Sequence, residues 1–133
     1  MVIFEVRILN KMFRHHRIYY DLQKLYKLYW GQHQHLPRAF RFTTGEQILN
    51  ELTQSIRCSV QANLYGKLKT GKRKAFEWLF ELNANLDVVQ SLLMLAWELK
   101  FLSHGALVLL TEQLELIQRQ VVGWRKWFQS QFE

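Results

Sequence analysis

Pro37 is the only proline among 133 residues, and it interrupts a chain whose apolar residues otherwise recur at helical spacing. A proline inside a helix removes one hydrogen bond, its ring clashes with the preceding turn, and it pushes the residue before it toward an extended conformation. We therefore expect one helix to end just before Pro37. Thr43 or Thr44 can cap the next helix, with Glu46 or Gln47 completing a capping box three residues later.

Apolar residues at three- and four-residue spacing indicate amphipathic helices along most of the chain. They predict four helices after an N-terminal arm of unassigned structure: arm 1–13, then 14–34, 45–65, 74–102 and 104–130. Ser103 is expected to cap the fourth helix. Helices of this length joined by short loops favour an all-α fold, an antiparallel four-helix bundle that forms one domain over residues 1–133.

The third predicted helix is apolar on two sides. One stripe contains Leu79, Leu86 and Leu93, and a second contains Phe80 and Leu95. A helix that is apolar over so much of its circumference needs cover from more than one side. We therefore expect the bundle to assemble into a homo-oligomer.

Positive charge is concentrated in two parts of the chain, whose formal net charge is +7. Residues 1–45 carry eight lysines and arginines against two acids, residues 67–74 carry five with no acid, and residues 75–118 are acidic. A concentrated positive surface attracts phosphate polyanions, so nucleic acid, RNA or DNA, is the expected partner. A solvated basic turn is the alternative interpretation of residues 67–74. Charge clustering points to five candidate contacts: Lys72, Arg73, Lys74, Arg125 and Lys126.

The sequence offers no constellation of catalytic side chains, and we expect a protein that is not an enzyme and that uses neither cofactor nor metal. Cys58 is alone and lies in an apolar helical setting, which favours a core residue over a nucleophile. The histidine pairs His15-His16 and His33-Gln-His35 are one or two residues apart, so their side chains point to different sides of a helix and are expected to be solvated.

The chain start lacks the pattern of a signal peptide, and no apolar run approaches the ~20 residues that span a bilayer. A lone cysteine suits a reducing compartment. We therefore expect a cytoplasmic protein without a membrane partner.

The order of motifs along nearly the whole chain after about residue 15 resembles that of the accessory variability determinant proteins of diversity-generating retroelements. An aromatic first helix, a basic turn after the second helix and a long third helix accompany five short matches: Leu36-Pro37-Arg38, Arg41-Phe42 with Thr44-Gly45, Ala62-Asn63-Leu64, Lys100-Phe101-Leu102-Ser103 and Val122-Gly123-Trp124.

This resemblance implies a homopentameric, barrel-like assembly of four-helix bundles with a basic surface. It implies a non-catalytic accessory factor that binds RNA or DNA and the reverse transcriptase, and that supports mutagenic retrohoming of a template into a variable target gene. By matching position it implies Arg38, Arg41 and, in the third helix, Lys100 as contacts to nucleic acid or polymerase. The alternative for the two arginines is to cap the end of the first helix or to pair with a neighbouring acid.

Two other interpretations stay open. The four-helix-bundle family encoded in ribosomal-RNA intervening sequences shares the entry from proline to helix and a run resembling Ser55-Ile56. That family usually has proline and a small residue where this chain has Arg57 and Cys58. The other is a structural or protein-interaction bundle whose positive charge aids docking to an acidic partner.

Overall fold

The computed structural model describes residues 15–132, so the predicted arm over residues 1–13 lies outside the described residues. Within them the chain is helical, without a strand. Helix α1 spans Arg17–His33, α2 consists of three consecutive parts, Arg38–Phe40, Arg41–Gly45 and Glu46–Gly66, α3 spans Lys72–Glu98, and α4 spans His104–Phe132. Helix α1 packs against α2 and α4, and α3 packs against the same two helices. The expected four-helix architecture is confirmed.

The core contains one apolar stripe from each of the two long helices, α3 and α4. On α3, Leu79, Leu86 and Leu93 are at most 1% exposed, and on α4 Leu114 and Ile117 are fully buried. Burial of one such leucine stabilises the fold by about 1.5–3 kcal/mol relative to leaving it exposed. Ser103 caps α4 as expected, because its Oγ accepts a hydrogen bond of 3.1 Å from the backbone of Ala106.

Pro37 ends one helix and starts the next. Helix α1 stops at His33, four residues before it, as predicted. Helix α2 begins directly after it at Arg38, so the predicted start at residue 45 was wrong. The fixed φ of a proline suits the first positions of a helix, where its missing N–H is no loss. The proline that blocks one helix therefore initiates the other.

The threonines expected to cap α2 lie inside it. Residues Arg41–Gly45 form a π-helical segment, and Gly45 itself has helical angles of φ −59° and ψ −42°. Thr43 donates its hydroxyl proton back to the carbonyl of Ala39, 2.7 Å away, instead of accepting an N–H from the following turn. The predicted capping box is therefore absent.

Helix α2 ends at Gly66, and this glycine is not there to give the backbone extra conformational freedom. No glycine in the described chain has a positive φ. A Cβ on Gly66 would lie 2.6 Å from Cζ of Phe128, so glycine is needed because that ring packs directly against the backbone.

The end of α3 differs from the prediction. The helix stops at Glu98, and Lys100 takes the left-handed conformation with φ 66°. The N–H of Phe101 then bonds the carbonyl of Ala96 and that of Lys100 bonds Trp97, each at 2.9 Å, which is the hydrogen-bond pattern of a Schellman motif. Lys100 therefore lies in the α3–α4 turn and not in the third helix.

Among residues 15–132, no helix combines the length and the apolar character that crossing a bilayer requires.

Candidate nucleic-acid interface

The eight basic residues predicted from the sequence fall into two groups at opposite ends of the bundle. Helix α2 runs from one end to the other, and α3 and α4 return in alternating directions. We call the first group the proline end: Arg38, Arg41 and Lys100. We call the second the basic-turn end: Lys72, Arg73, Lys74, Arg125 and Lys126. Arg38 and Arg41 lie at the start of α2 and residues 72–74 follow its other end, so most of the length of that helix separates the two groups.

At the proline end, the two arginines surround an exposed aromatic ring. The guanidinium carbons of Arg38 and Arg41 lie 5.8 and 5.0 Å from the centroid of Phe42, whose side chain is 58% exposed. Nη1 of Arg41 also donates to the carbonyl of Gln34, 3.2 Å away, just past the end of α1. Arg41 therefore has the capping role considered for it, whereas Arg38 is exposed to solvent.

At the basic-turn end, Lys72 has a structural role. Its ammonium group donates to the carbonyl of Gly66 at the end of α2 and lies 5.5 and 6.0 Å from the ring centroids of Trp127 and Phe128. A cation near a helix C-terminus interacts favourably with the free carbonyls there. Lys72 therefore joins α2 to α4 and is less free than its neighbours to contact a ligand.

Arg73 and Arg125 stack on aromatic rings of the neighbouring helix. Arg73 lies 4.5 Å from the ring of Phe132, and Arg125 lies 5.7 Å from that of Phe80. These contacts hold each guanidinium group in place and leave hydrogen-bonding edges for a ligand.

Lys74 and Lys126 are exposed, and Lys74 forms the one ion pair at this end among the described residues, a 3.8 Å contact with Glu77. Both partners of that pair are more than half exposed, so the pair contributes little and is easily exchanged.

The first turn of α3 carries positive charge where a helix favours negative charge. Lys72, Arg73 and Lys74 open this helix, and its first turn contains no acid. The helix dipole disfavours cations there by roughly 0.3–1 kcal/mol each, and an anion placed beside them removes that cost. A phosphate bound beside this turn would therefore stabilise it.

Sequence reasoning missed a buried polar cluster between α1 and α2. His33, expected to be solvated, is 5% exposed. Its Nδ1 lies 2.9 Å from the hydroxyl of Tyr29, and its Nε2 lies 3.6 Å from Oε1 of Glu46. The Tyr29 hydroxyl donates to the carbonyl of Gly45, 3.3 Å away, in the π-helical segment. A phenol has one proton, so a Tyr29 that donates to Gly45 accepts its second hydrogen bond from Nδ1 of His33.

The environment of this cluster explains the residue types. Burial, with a smaller contribution from Glu46, raises the pKa of Tyr29 well above its ordinary value, so the phenol keeps its proton. A Cβ on Gly45 would lie 2.9 Å from Cε1 of His33, so the glycine gives the imidazole its room. The cluster thus joins α1 to α2 just where Pro37 connects them.

Replacing Tyr29 with Phe is expected to lower the free energy of unfolding by about 1–2 kcal/mol, because Nδ1 of His33 is then without its partner in a buried site. Tyr20→Phe is the matched control, since Tyr20 is 47% exposed, and its change is expected to stay within about 0.5 kcal/mol. Denaturant unfolding followed by circular dichroism measures both. Equal values for the two variants would contradict the role assigned to the cluster.

Cys58 is a core residue as predicted. It is 1% exposed, and burial is the main reason that its pKa rises to about 12. A thiol that stays protonated at neutral pH is a poor nucleophile.

Within the described part of the chain, no group of three or more His, Cys, Asp or Glu side chains has an arrangement that could hold a metal ion.

No family model, curated protein or solved structure matches this chain. Membership of the retroelement family therefore stays a prediction.

The aromatic residues of the first helix divide into two sets. Tyr29 packs in the core and is 2% exposed. Tyr20 and Trp30, however, are 47% and 46% exposed on the outer face of α1. Arg17, Tyr20, Lys24 and Lys27 are spaced three or four residues apart, and this spacing could have predicted from the sequence that their side chains share one side of the helix.

Proposed function

We propose that this protein is a non-catalytic, nucleic-acid-binding accessory factor of a diversity-generating retroelement, which binds RNA or DNA together with the reverse transcriptase and acts as a homo-oligomer in the cytoplasm. The observation that carries the nucleic-acid part is the grouping of basic residues at two ends of one bundle, with a single weak ion pair at the basic-turn end within residues 15–132. Exposed cations without acidic partners release condensed counterions from a polyanion, which is the main source of affinity for nucleic acid.

The assignment to a retroelement rests on the resemblance in motif order, and the four-helix architecture is consistent with it. The proline end adds a physical argument. Lys100 is held in a left-handed conformation that costs an L-residue roughly 1–2 kcal/mol, although glycine would fit there without that cost. The presence of lysine at a position where glycine would cost less supports a role for its side chain in binding.

Support for assembly comes from the second stripe of α3. Phe80 and Leu95 are 61% and 40% exposed, and they lie on the side of α3 that faces away from the core. Leu99, directly after the end of α3, is 48% exposed. An exposed apolar stripe of this kind is typical of a surface that another subunit covers. The resemblance implies five subunits in a closed ring, which multi-angle light scattering would measure directly. A monomer at all concentrations would remove assembly from the proposal.

The experiment that tests the function is affinity purification from the native cell. We expect the protein to retain a reverse transcriptase and a defined RNA. Recovery of ribosomal RNA alone would favour the intervening-sequence family instead, and recovery of protein partners without nucleic acid would favour a protein-interaction bundle.

Binding to nucleic acid in vitro is expected to weaken steeply with salt. For a duplex probe, log affinity should fall with log salt at a slope near −0.9 per phosphate contacted. Replacing Arg73 and Lys74 with Gln should make that slope shallower by about 0.9 for each charge that contacted a phosphate. Lys72 is left intact because it caps α2 through Gly66. Fluorescence anisotropy over a salt series measures the slope.

Arg57→Gln is the control for net charge, since Arg57 is exposed in the middle of α2, away from both ends. Its slope is expected to equal that of the unmodified protein. If Arg57 and the basic-turn residues change the slope equally per charge, the location of the charges does not matter and the proposed interface is wrong.

A further inference from the structure

The outer face of α1 carries a row of basic and aromatic side chains outside the two basic ends of the bundle. We call it the α1 stripe: Arg17, Tyr20, Lys24, Lys27 and Trp30. All five are exposed, and they recur every three or four residues along one side of the helix. At 1.5 Å per residue the stripe is about 20 Å long. Helix α1 begins at the basic-turn end and finishes at the proline end, so the stripe runs from the end that holds one basic group to the end that holds the other.

The α1 stripe is free of acidic side chains. Asp21 is the only acid in α1, and it is turned toward α4, where its Oδ2 accepts a 2.7 Å hydrogen bond from Gln120. Among residues 15–132, no carboxylate lies within ion-pair distance of Arg17, Lys24 or Lys27. The three cations therefore present uncompensated positive charge along the helix.

The aromatic members of the stripe are supported from the side and open to solvent. Trp30 stacks beside Tyr26 and His33 at centroid distances of 6.4 and 5.7 Å, yet it is 46% exposed. Tyr26, Lys27 and Trp30 line a shallow depression of about 370 Å³. An aromatic surface beside a cation is the arrangement that stacks an unpaired base while holding its phosphate.

We infer that the α1 stripe binds a single-stranded segment of nucleic acid, with bases stacked on Trp30 and Tyr20 and phosphates held by Arg17, Lys24 and Lys27. This inference rests on the proposed function, and it adds that the bound nucleic acid is single-stranded and runs along the outer face of α1. The stripe matches roughly six nucleotides at 3.4 Å each. Duplex on either side of that segment would then lie at the two ends of the bundle, where the basic groups are.

A membrane surface fits the stripe less well. The apolar face of α1 is used in the core, where Ile18, Leu22 and Leu25 are fully buried. A helix bound at a bilayer surface needs that face for the acyl chains. What α1 leaves outside is positive charge and two separate rings, which suits a flexible polyanion with planar bases.

The test compares Trp30 variants on two probes, a fluorescently labelled 12-nucleotide single strand, as RNA and as DNA, and a 12-base-pair duplex. Trp30→Ala is expected to weaken single-strand binding by about 5- to 150-fold, the range that corresponds to one stacked base, and to leave duplex binding unchanged. Trp30→Phe keeps a stacking ring and should restore most of the affinity. Trp97→Ala, which removes a second indole that is 38% exposed on α3, should change the affinity for neither probe.

Charge is tested separately with the double variant Lys24→Gln and Lys27→Gln. Its log–log salt slope on the single strand should be shallower by about 1.4, or 0.7 for each phosphate that one of these lysines holds. Circular dichroism melts establish that each variant is folded, and Trp30→Phe keeps the test decisive if Trp30→Ala does not fold.

The outcomes separate this inference from the proposed function. Unmodified protein that binds neither probe at low salt would overturn both. Binding that is intact in every α1 variant would overturn the inference alone and leave the nucleic-acid function at the bundle ends. Equal weakening of single strand and duplex by Trp30→Ala would also overturn it. So would Lys24- and Lys27-dependent binding to phosphatidylserine vesicles without binding to either probe, because it would make the stripe a lipid site.

Discussion

Phe128→Ala is expected to lower the free energy of unfolding by about 3–5 kcal/mol, the cost of truncating a buried aromatic side chain. Phe128 is 1% exposed, and its ring lies 5.4 and 5.0 Å from those of Trp124 and Trp127. It also covers the backbone of Gly66 at the end of α2. Removing the ring therefore leaves a cavity between α2 and α4, beneath the basic-turn end.

Phe42→Ala is the matched control for this variant. Its ring is 58% exposed and lies 5.8 and 5.0 Å from the guanidinium carbons of Arg38 and Arg41, so its removal should change stability by no more than about 1 kcal/mol. Urea unfolding of the two variants, with the slope of each transition checked for equality, gives the comparison.

A double-mutant cycle with Gly66 sharpens the first prediction. In the unmodified protein Gly66→Ala is destabilising, because the new Cβ would lie 2.6 Å from Cζ of Phe128. In the Phe128→Ala background that clash is gone, and the same substitution should become neutral or stabilising, since alanine favours a helix more than glycine by up to ~1 kcal/mol. A Gly66→Ala effect of the same sign and size in both backgrounds would show that the two residues do not share this contact.

Gly71→Ala is expected to cost about 3 kcal/mol, the upper end of the range for an overpacked site. A Cβ there would lie 2.1 Å from the carbonyl oxygen of Tyr65 and 3.1 Å from Cβ of Leu68. The first of these atoms belongs to the backbone, so relief requires movement of the turn. The φ of Gly71 is −98°, which alanine adopts freely, so the predicted destabilisation comes from the close approach alone.

Gly123→Ala is the same substitution as Gly71→Ala, but it is expected to raise stability instead of lowering it. Gly123 lies in the interior of α4 and a Cβ there meets no heavy atom within 4 Å. Alanine should therefore raise stability by about 0.5–1 kcal/mol through its better helix propensity. Thermal melts of the two variants should move in opposite directions. A lower melting temperature for Gly123→Ala would contradict the open space around Gly123. An unchanged melting temperature for Gly71→Ala would contradict the close approach in the turn.

The turn that contains Gly71 also bears on binding. It sets the direction in which α3 leaves α2, and Arg73 and Lys74 follow it directly. A variant that moves this turn is expected to weaken nucleic-acid binding together with stability, whereas the Gln variants of Arg73 and Lys74 weaken binding alone. Measuring both stability and nucleic-acid binding therefore distinguishes a variant that moves the basic residues from one that only removes their charge.

Several elements could be predicted because their cause is local. Ser103 caps α4 through a hydrogen bond to a residue three positions later, and Pro37 stops α1 by its own ring. The apolar stripes of α3 and α4 follow from helical geometry. The start of α2 was missed because two local signals competed: threonines resembling caps, and a proline that suits a helix start. The helix starts directly after the proline, and the Thr43 hydroxyl donates to the carbonyl of Ala39 instead of capping the helix.

The candidate interface was predictable in its charge and not in its arrangement. Counting lysines and arginines identified Arg73 and Lys74 as candidates, but no local pattern shows that Lys72 caps a carbonyl six residues earlier. The burial of His33 was equally invisible, because it depends on Tyr29, Gly45 and Glu46 of two helices. The exposure of Trp30 depends on which side of α1 the other helices cover.

The basic residues around Pro37 show most clearly which features the sequence determines and which depend on the tertiary structure. By itself, the sequence determined that a helix ends there and that the neighbouring segment is cationic, since both depend on covalent structure and composition. Only the tertiary structure decided that Arg41 bonds Gln34 and that Arg38 stays exposed. It also decided that the turn containing Lys100 lies at the same end of the bundle, where Phe101 packs against Phe40 with ring centroids 5.1 Å apart. The physical reason is that contacts between residues far apart in the chain depend on how four helices pack, and each helix alone leaves that packing open.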